Sequence, residues 1–141
     1  MYTNIHRAEA TSTISAQSSR RRSAHISRAR RAELLREQAV SASSPEEKLA
    51  LSYRSAREKG ALLLGAPPRR GPNNVWIRLE RECPAMAEWA RTFRGYSGLV
   101  SAIDAGLPRK VDGEFARKFL WAVGQFFERV EAEQIQEKAA A

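Results

Sequence analysis

The groups able to do chemistry are few, and most lie near one end of the chain. The two histidines are His6 and His25, the single cysteine is Cys83, and a cluster of arginines comprises Arg20, Arg21, Arg22, Arg28, Arg30 and Arg31. Arg20 and His25, with four residues between them, form a pair able in principle to bind a phosphate and move a proton. A general acid must be held against its substrate, and the Ser/Thr/Ala/Arg-rich segment around this pair reads as a disordered arm that holds nothing. A solvated basic arm is therefore expected there rather than a catalytic centre. One cysteine and two arm-borne histidines do not build a tetrahedral zinc site within one chain, so neither a metal nor another cofactor is expected. Cys83, beside Pro84 on an apolar seam, reads as a small core residue. Glu128, Glu131, Glu133 and Glu137 read as a charged outer face. Gly95-Tyr96-Ser97-Gly98 falls within a helical pattern and follows no strand, so it is not a phosphate-cradling loop.

The arginines suggest another use. The first 32 residues carry seven arginines against one acid, Glu9, whereas the remainder of the chain carries 17 basic and 15 acidic groups of a total net charge of +8. Basic character thus belongs to the arm and hardly to the rest, which points to a polyanion or an acidic protein as partner. Arg69 and Arg70, in the stiff loop Pro67–Pro72, are expected to join the six arm arginines in neutralising phosphates. Such contacts release counterions, giving steep salt dependence and little sequence preference. No aromatic residue interleaves the run, so stacking on single-stranded bases is not supported. The plain alternative, a solubilising tail, stays open.

These residues must be positioned by helices. The stretch Asn74–Phe93 carries Trp76, Leu79, Cys83, Met86, Ala90 and Phe93 at steps of three and four, the pattern of a helix with one buried seam. Pro84 divides it, with Asn74 as cap of the first half and Pro84 opening the second. Ser44-Pro45-Glu46-Glu47 has the form of a capping box. Asp112 precedes a wide aromatic stripe of Phe115, Phe119, Phe126 and Phe127. The spacing predicts an all-α bundle of four to five helices at about 27–42, 45–64, 74–83, 84–105 and 112–133. Residues 1–26 are expected as the disordered arm, 27–135 as the bundle and 136–141 as a frayed end. Trp121 falls among polar residues of the last helix, and Leu51 and Leu62 lie opposite the apolar face of theirs. These three are expected on a homodimer face, unless residues 27–42 cover the two leucines within the chain.

The length suits one domain with a real core. No apolar run approaches the roughly 18 residues that cross a bilayer, and no secretory leader is expected at the N-terminus. A single cysteine fits a reducing compartment, so a cytoplasmic protein with no membrane partner is expected. The Arg-rich, acid-poor start also has the composition of a mitochondrial presequence, which leaves that alternative open.

From Ser44 to about Glu133 the chain resembles the HEPN superfamily, in a small actinobacterial branch. The resemblance is carried by Val75-Trp76-Ile77-Arg78-Leu79, by Pro84-Ala85-Met86-Ala87-Glu88-Trp89-Ala90, and by the aromatic helix after Asp112. It implies a helical bundle that often dimerises. Many members are metal-independent ribonucleases using an arginine and a histidine four to six residues apart on the last helix; others bind nucleotides or partner small nucleotidyltransferases. This chain departs at that point: its last helix has Arg117 and Arg129 but no histidine. No catalytic residue carries over, and a non-catalytic module is expected. A divergent ribonuclease and an antitoxin-like regulator are the alternatives.

Overall fold

The computed structural model describes residues 2–71 and 73–140, with side chains from Thr13 onward. Met1, Pro72 and Ala141, and the side chains of residues 2–12, including His6 and Glu9, lie outside the described residues. The described chain is all-α, with no strand. Its helices are α1 (Tyr2–Val40), α2 (Pro45–Ala61), α3 (Val75–Glu82), α4 (Ala87–Arg94), α5 (Ser97–Asp104) and α6 (Gly113–Ala140). A short 3-10 turn, Pro84–Met86, joins α3 to α4. No helix among the described residues is long and apolar enough to cross a membrane.

The first helix, expected from about Ser27, runs as α1 from Tyr2. The physical reason is what the segment lacks. No proline or glycine occurs before Pro45 to stop a helix. Residues 13–28 are nonetheless exposed throughout, as a segment with few large apolar groups should be. At about 58 Å, α1 is more than twice the length of α2 at about 26 Å, so its first half overhangs the bundle.

The hairpin between α1 and α2 is closed by polar contacts. Lys48 Nζ donates to the Ala39 and Val40 carbonyls at 2.7 and 3.0 Å, placing a cation on the negative end of α1. The Ser44 Oγ accepts from Glu47 N–H at 3.1 Å, the expected cap. The returning contact is shifted by one residue, since Glu47 Oε2 accepts from Ser43 N–H and Oγ. Buried Ser52 and Ser55 donate back to the Lys48 and Ser52 carbonyls, which satisfies both hydroxyls inside the helix.

The predicted division of the Asn74–Phe93 stretch at Pro84 is present. Asn74 Oδ1 accepts from Trp76 and Ile77 N–H at 2.9 and 3.2 Å. Cys83, at φ −132° and ψ 84°, leaves the helical region just before Pro84. Trp76 is fully buried, and its Nε1 donates to Tyr53 Oη at 2.9 Å. Its ring stacks on Phe93 with centroids 5.1 Å apart and meets Phe126 edge-on at 6.1 Å. Phe93 and Phe126 close the cluster at 4.9 Å. α2 reaches this cluster through Gly60, where a Cβ would lie 3.2 Å from Phe126 Cζ and 3.3 Å from Leu79 Cδ2.

Three further boundaries differ from expectation. The helix predicted over 84–105 is broken into a 3-10 turn, α4 and α5. Apolar spacing runs through the break, but at Gly95 a Cβ would sit 3.2 Å from the Thr92 carbonyl oxygen, and Tyr96 N–H bonds tightly back to Phe93. Ser97 Oγ then donates to the Arg94 carbonyl at 2.8 Å as α5 starts, and Arg54 of α2 pairs with Asp104 at its end. α2 stops at Ala61 rather than Leu64, because residues 62–64 tighten into i to i−3 turns. α6 continues to Ala140 instead of ending near 133.

Candidate nucleic-acid interface

The six arm arginines are presented by one helix. Arg20, Arg21, Arg22, Arg28, Arg30 and Arg31 all lie exposed on α1. Only two of them meet a carboxylate among the described residues. Arg28 Nε and Arg31 Nη1 share Glu58 Oε2 of α2, at 3.6 and 3.7 Å. One acid between two arginines leaves net positive charge, and at these distances the contacts are loose although the Glu58 side chain is only 19% exposed. Arg22 donates at 3.5 Å to Ser19 on the preceding turn, a marginal contact. Arg20, Arg21 and Arg30 have no carboxylate partner among the described residues, and neither do Arg69 and Arg70, exposed on the loop after α2.

The ion pairs fix the direction of the overhang. Arg28 and Arg31 sit level with Glu58, near the C-terminal end of α2, whereas Ala39 sits level with Lys48 near its start. The residues before Arg28 therefore run out past Ala61 and over the loop 62–74. A cleft of about 500 Å³ opens beneath them. Arg21, Ala24, His25 and Arg28 form one wall, and Ala61, Leu64, Pro67 and Val75 contribute an apolar opposite side. No acidic residue lines it among the described residues.

The far wall is pinned by Arg78, whose role sequence reasoning missed. Its side chain is only 10% exposed, and its donors are almost fully used. Nε donates to Glu82 Oε2 at 2.9 Å, Nη1 to Asn73 Oδ1 at 3.3 Å, and Nη2 to the Gly65 and Ala66 carbonyls at 3.1 Å. The i,i+4 spacing to Glu82 was visible in the sequence; the two carbonyls, 13 and 12 residues earlier, gave no signal. With its charge balanced by Glu82, Arg78 shapes the loop and adds little field to the cleft.

The remaining candidates fall elsewhere. Trp121 is 67% exposed, on the polar side of α6 as its position suggested. Leu62 is buried within the chain and Leu51 is half-buried, with α1 packed along α2. Leu62 is thus withdrawn from the surface, and Leu51 is partly withdrawn. His25 lies on a helix at the cleft wall and no other described histidine accompanies it. Cys83 is half-buried, and burial together with the Glu133 and Glu137 carboxylates pushes its thiol up from the usual range, which disfavours the nucleophilic thiolate. Glu133 itself is buried and paired with Arg129 at 2.8 Å, which corrects its assignment to an outer charged face. Among the described residues no group of three or more His, Cys, Asp or Glu could hold a metal.

Neither the curated proteins nor the solved structures contain a match to this chain. A protein-family model described as SAV_6107-like HEPN does match, over residues 39–131, spanning α2 to α5 and most of α6 and leaving nearly all of α1 outside.

Proposed function

This chain belongs to the SAV_6107-like HEPN family, and we propose that it is a non-catalytic HEPN module that binds nucleic acid with little sequence preference through its basic first helix. The observation that carries this reading is the exposure of six arginines on α1 with a single carboxylate, Glu58, among their described partners. Exposed in the free protein, those guanidinium groups are hydrated; meeting a phosphate backbone exchanges water for charge-assisted hydrogen bonds and releases counterions condensed on the nucleic acid. The helix pre-arranges the cations, so less conformational entropy is lost on binding than from a flexible tail. The absence of any histidine from α6 supports a binding role over ribonuclease chemistry of the kind the family resemblance implies.

The test is binding of a mixed-sequence polynucleotide by the full chain and by the triple variant Arg20→Ala, Arg21→Ala, Arg22→Ala. These positions are exposed on α1, so the bundle is left intact. The variant should bind several-fold more weakly at low salt. Equal affinity for an acidic protein and none for nucleic acid would move the reading to a protein partner.

A further inference from the structure

We propose that the cleft beneath α1 seats one unstacked nucleotide, so that the protein prefers single-stranded to double-stranded nucleic acid; this rests on the reading of α1 as a polyanion-binding helix. The cleft, at about 500 Å³, has the size of a small-ligand pocket and room for one base with its sugar and phosphate. A base still paired within a duplex cannot enter it.

The chemistry of the two walls matches the two ends of a nucleotide. Arg21, with no carboxylate partner among the described residues, and Arg28, only loosely tied to Glu58 at 3.6 Å, face the cleft as phosphate donors. Leu64 and Val75 offer an apolar surface against which a base face can lie. Sequence reasoning found no aromatic residue among the arginines; the flat groups needed for stacking are instead the His25 imidazole and the guanidinium planes. No carboxylate lines the cleft among the described residues, and the two that touch its lining residues, Glu82 and Glu58, are paired with Arg78 and with Arg28 and Arg31. Those contacts read the π-face and the backbone rather than base edges, so selectivity for strandedness is expected without selectivity for sequence.

Electrostatics alone works in the opposite direction. A duplex has the higher charge density and the steeper counterion release, so a purely electrostatic arm would favour it. The deciding experiment measures fluorescence anisotropy of labelled RNA and DNA single strands, and of duplexes of the same sequence, with the full chain at fixed salt. The wild-type protein should bind single strands about tenfold more tightly than duplex. Ala24→Glu, which puts a carboxylate into the cleft, should abolish that preference. Ser23→Glu makes the same charge change at an exposed neighbour outside the cleft lining; it should weaken both forms alike and keep the preference. Equal binding of single strand and duplex by the wild type, or equal effects of the two variants, overturns the cleft assignment while leaving the arm in place. No binding to either form overturns both.

Discussion

Replacing Arg78 tests how the far wall of the cleft is held. Arg78→Met keeps most of the aliphatic stem and removes every donor. Four acceptors then lose the guanidinium: the Gly65 and Ala66 carbonyls, Asn73 Oδ1 and the Glu82 carboxylate, the last keeping only a 3.5 Å contact from Gly65 N–H. Each lost bond to a charged donor is worth roughly 1.5–3 kcal/mol where water cannot replace it. Water can replace most of them here, because Gly65, Ala66 and Asn73 lie on the surface and the Glu82 side chain is 37% exposed. The net loss should therefore be about 2–3 kcal/mol, well short of the sum of four buried bonds. For a domain of this size that lowers the midpoint of thermal unfolding by roughly 6–12 °C. Arg78→Lys retains charge but not the planar fork and should lose about half as much. Circular dichroism melts read the stability, and the anisotropy assay reads the consequence. The loosened loop should erase the single-strand preference while α1 keeps its salt-dependent binding. A midpoint for Arg78→Met within about 1 °C of wild type would show that the loop is held some other way, and the reasoning would fail.

Two further outcomes follow from the packing and the charges. Gly60→Val drives two extra methyl groups into the space between Phe126 and Leu79, where even a Cβ would be 3.2–3.3 Å from both, and should cost about 2–3 kcal/mol in denaturant unfolding. Glu46 is held below the usual carboxylate range by backbone N–H groups, its own and that of Val111, which donates at 3.2 Å. A lowered carboxylate stabilises the fold above its unfolded value and loses that contribution as pH falls through the folded one. Glu46→Gln should therefore melt earlier than wild type near pH 7, with the gap closing below about pH 4; a gap unchanged at acid pH would contradict the assignment.

What could be read in the sequence was local. Ser44, Asn74 and Asp112 cap their helices through atoms two or three residues away, and Pro84 breaks its helix through its own ring. What escaped was set by distance or by competing signals. The apolar arc through Trp89, Phe93, Tyr96 and Val100 hid the break at Gly95. The N-terminal extent of α1 escaped because a segment of low hydropathy carries no helical periodicity, although no helix breaker occurs before Pro45. The cleft joins residues 21–28 to residues 61–78, and no periodicity announces a meeting of segments so far apart. The arginines themselves were visible from composition; their alignment over a walled cleft was not.

The central claim, that exposed arginines on α1 do the binding while the bundle behind them holds its shape, is tested most directly by the salt dependence of affinity. Log affinity for a mixed-sequence single strand should fall linearly with log salt. The slope should shrink by about two units in the Arg20→Ala, Arg21→Ala, Arg22→Ala variant, since each lost phosphate contact removes about 0.7. Identical slopes for variant and wild type would contradict the account, because the charges doing the work would then lie elsewhere.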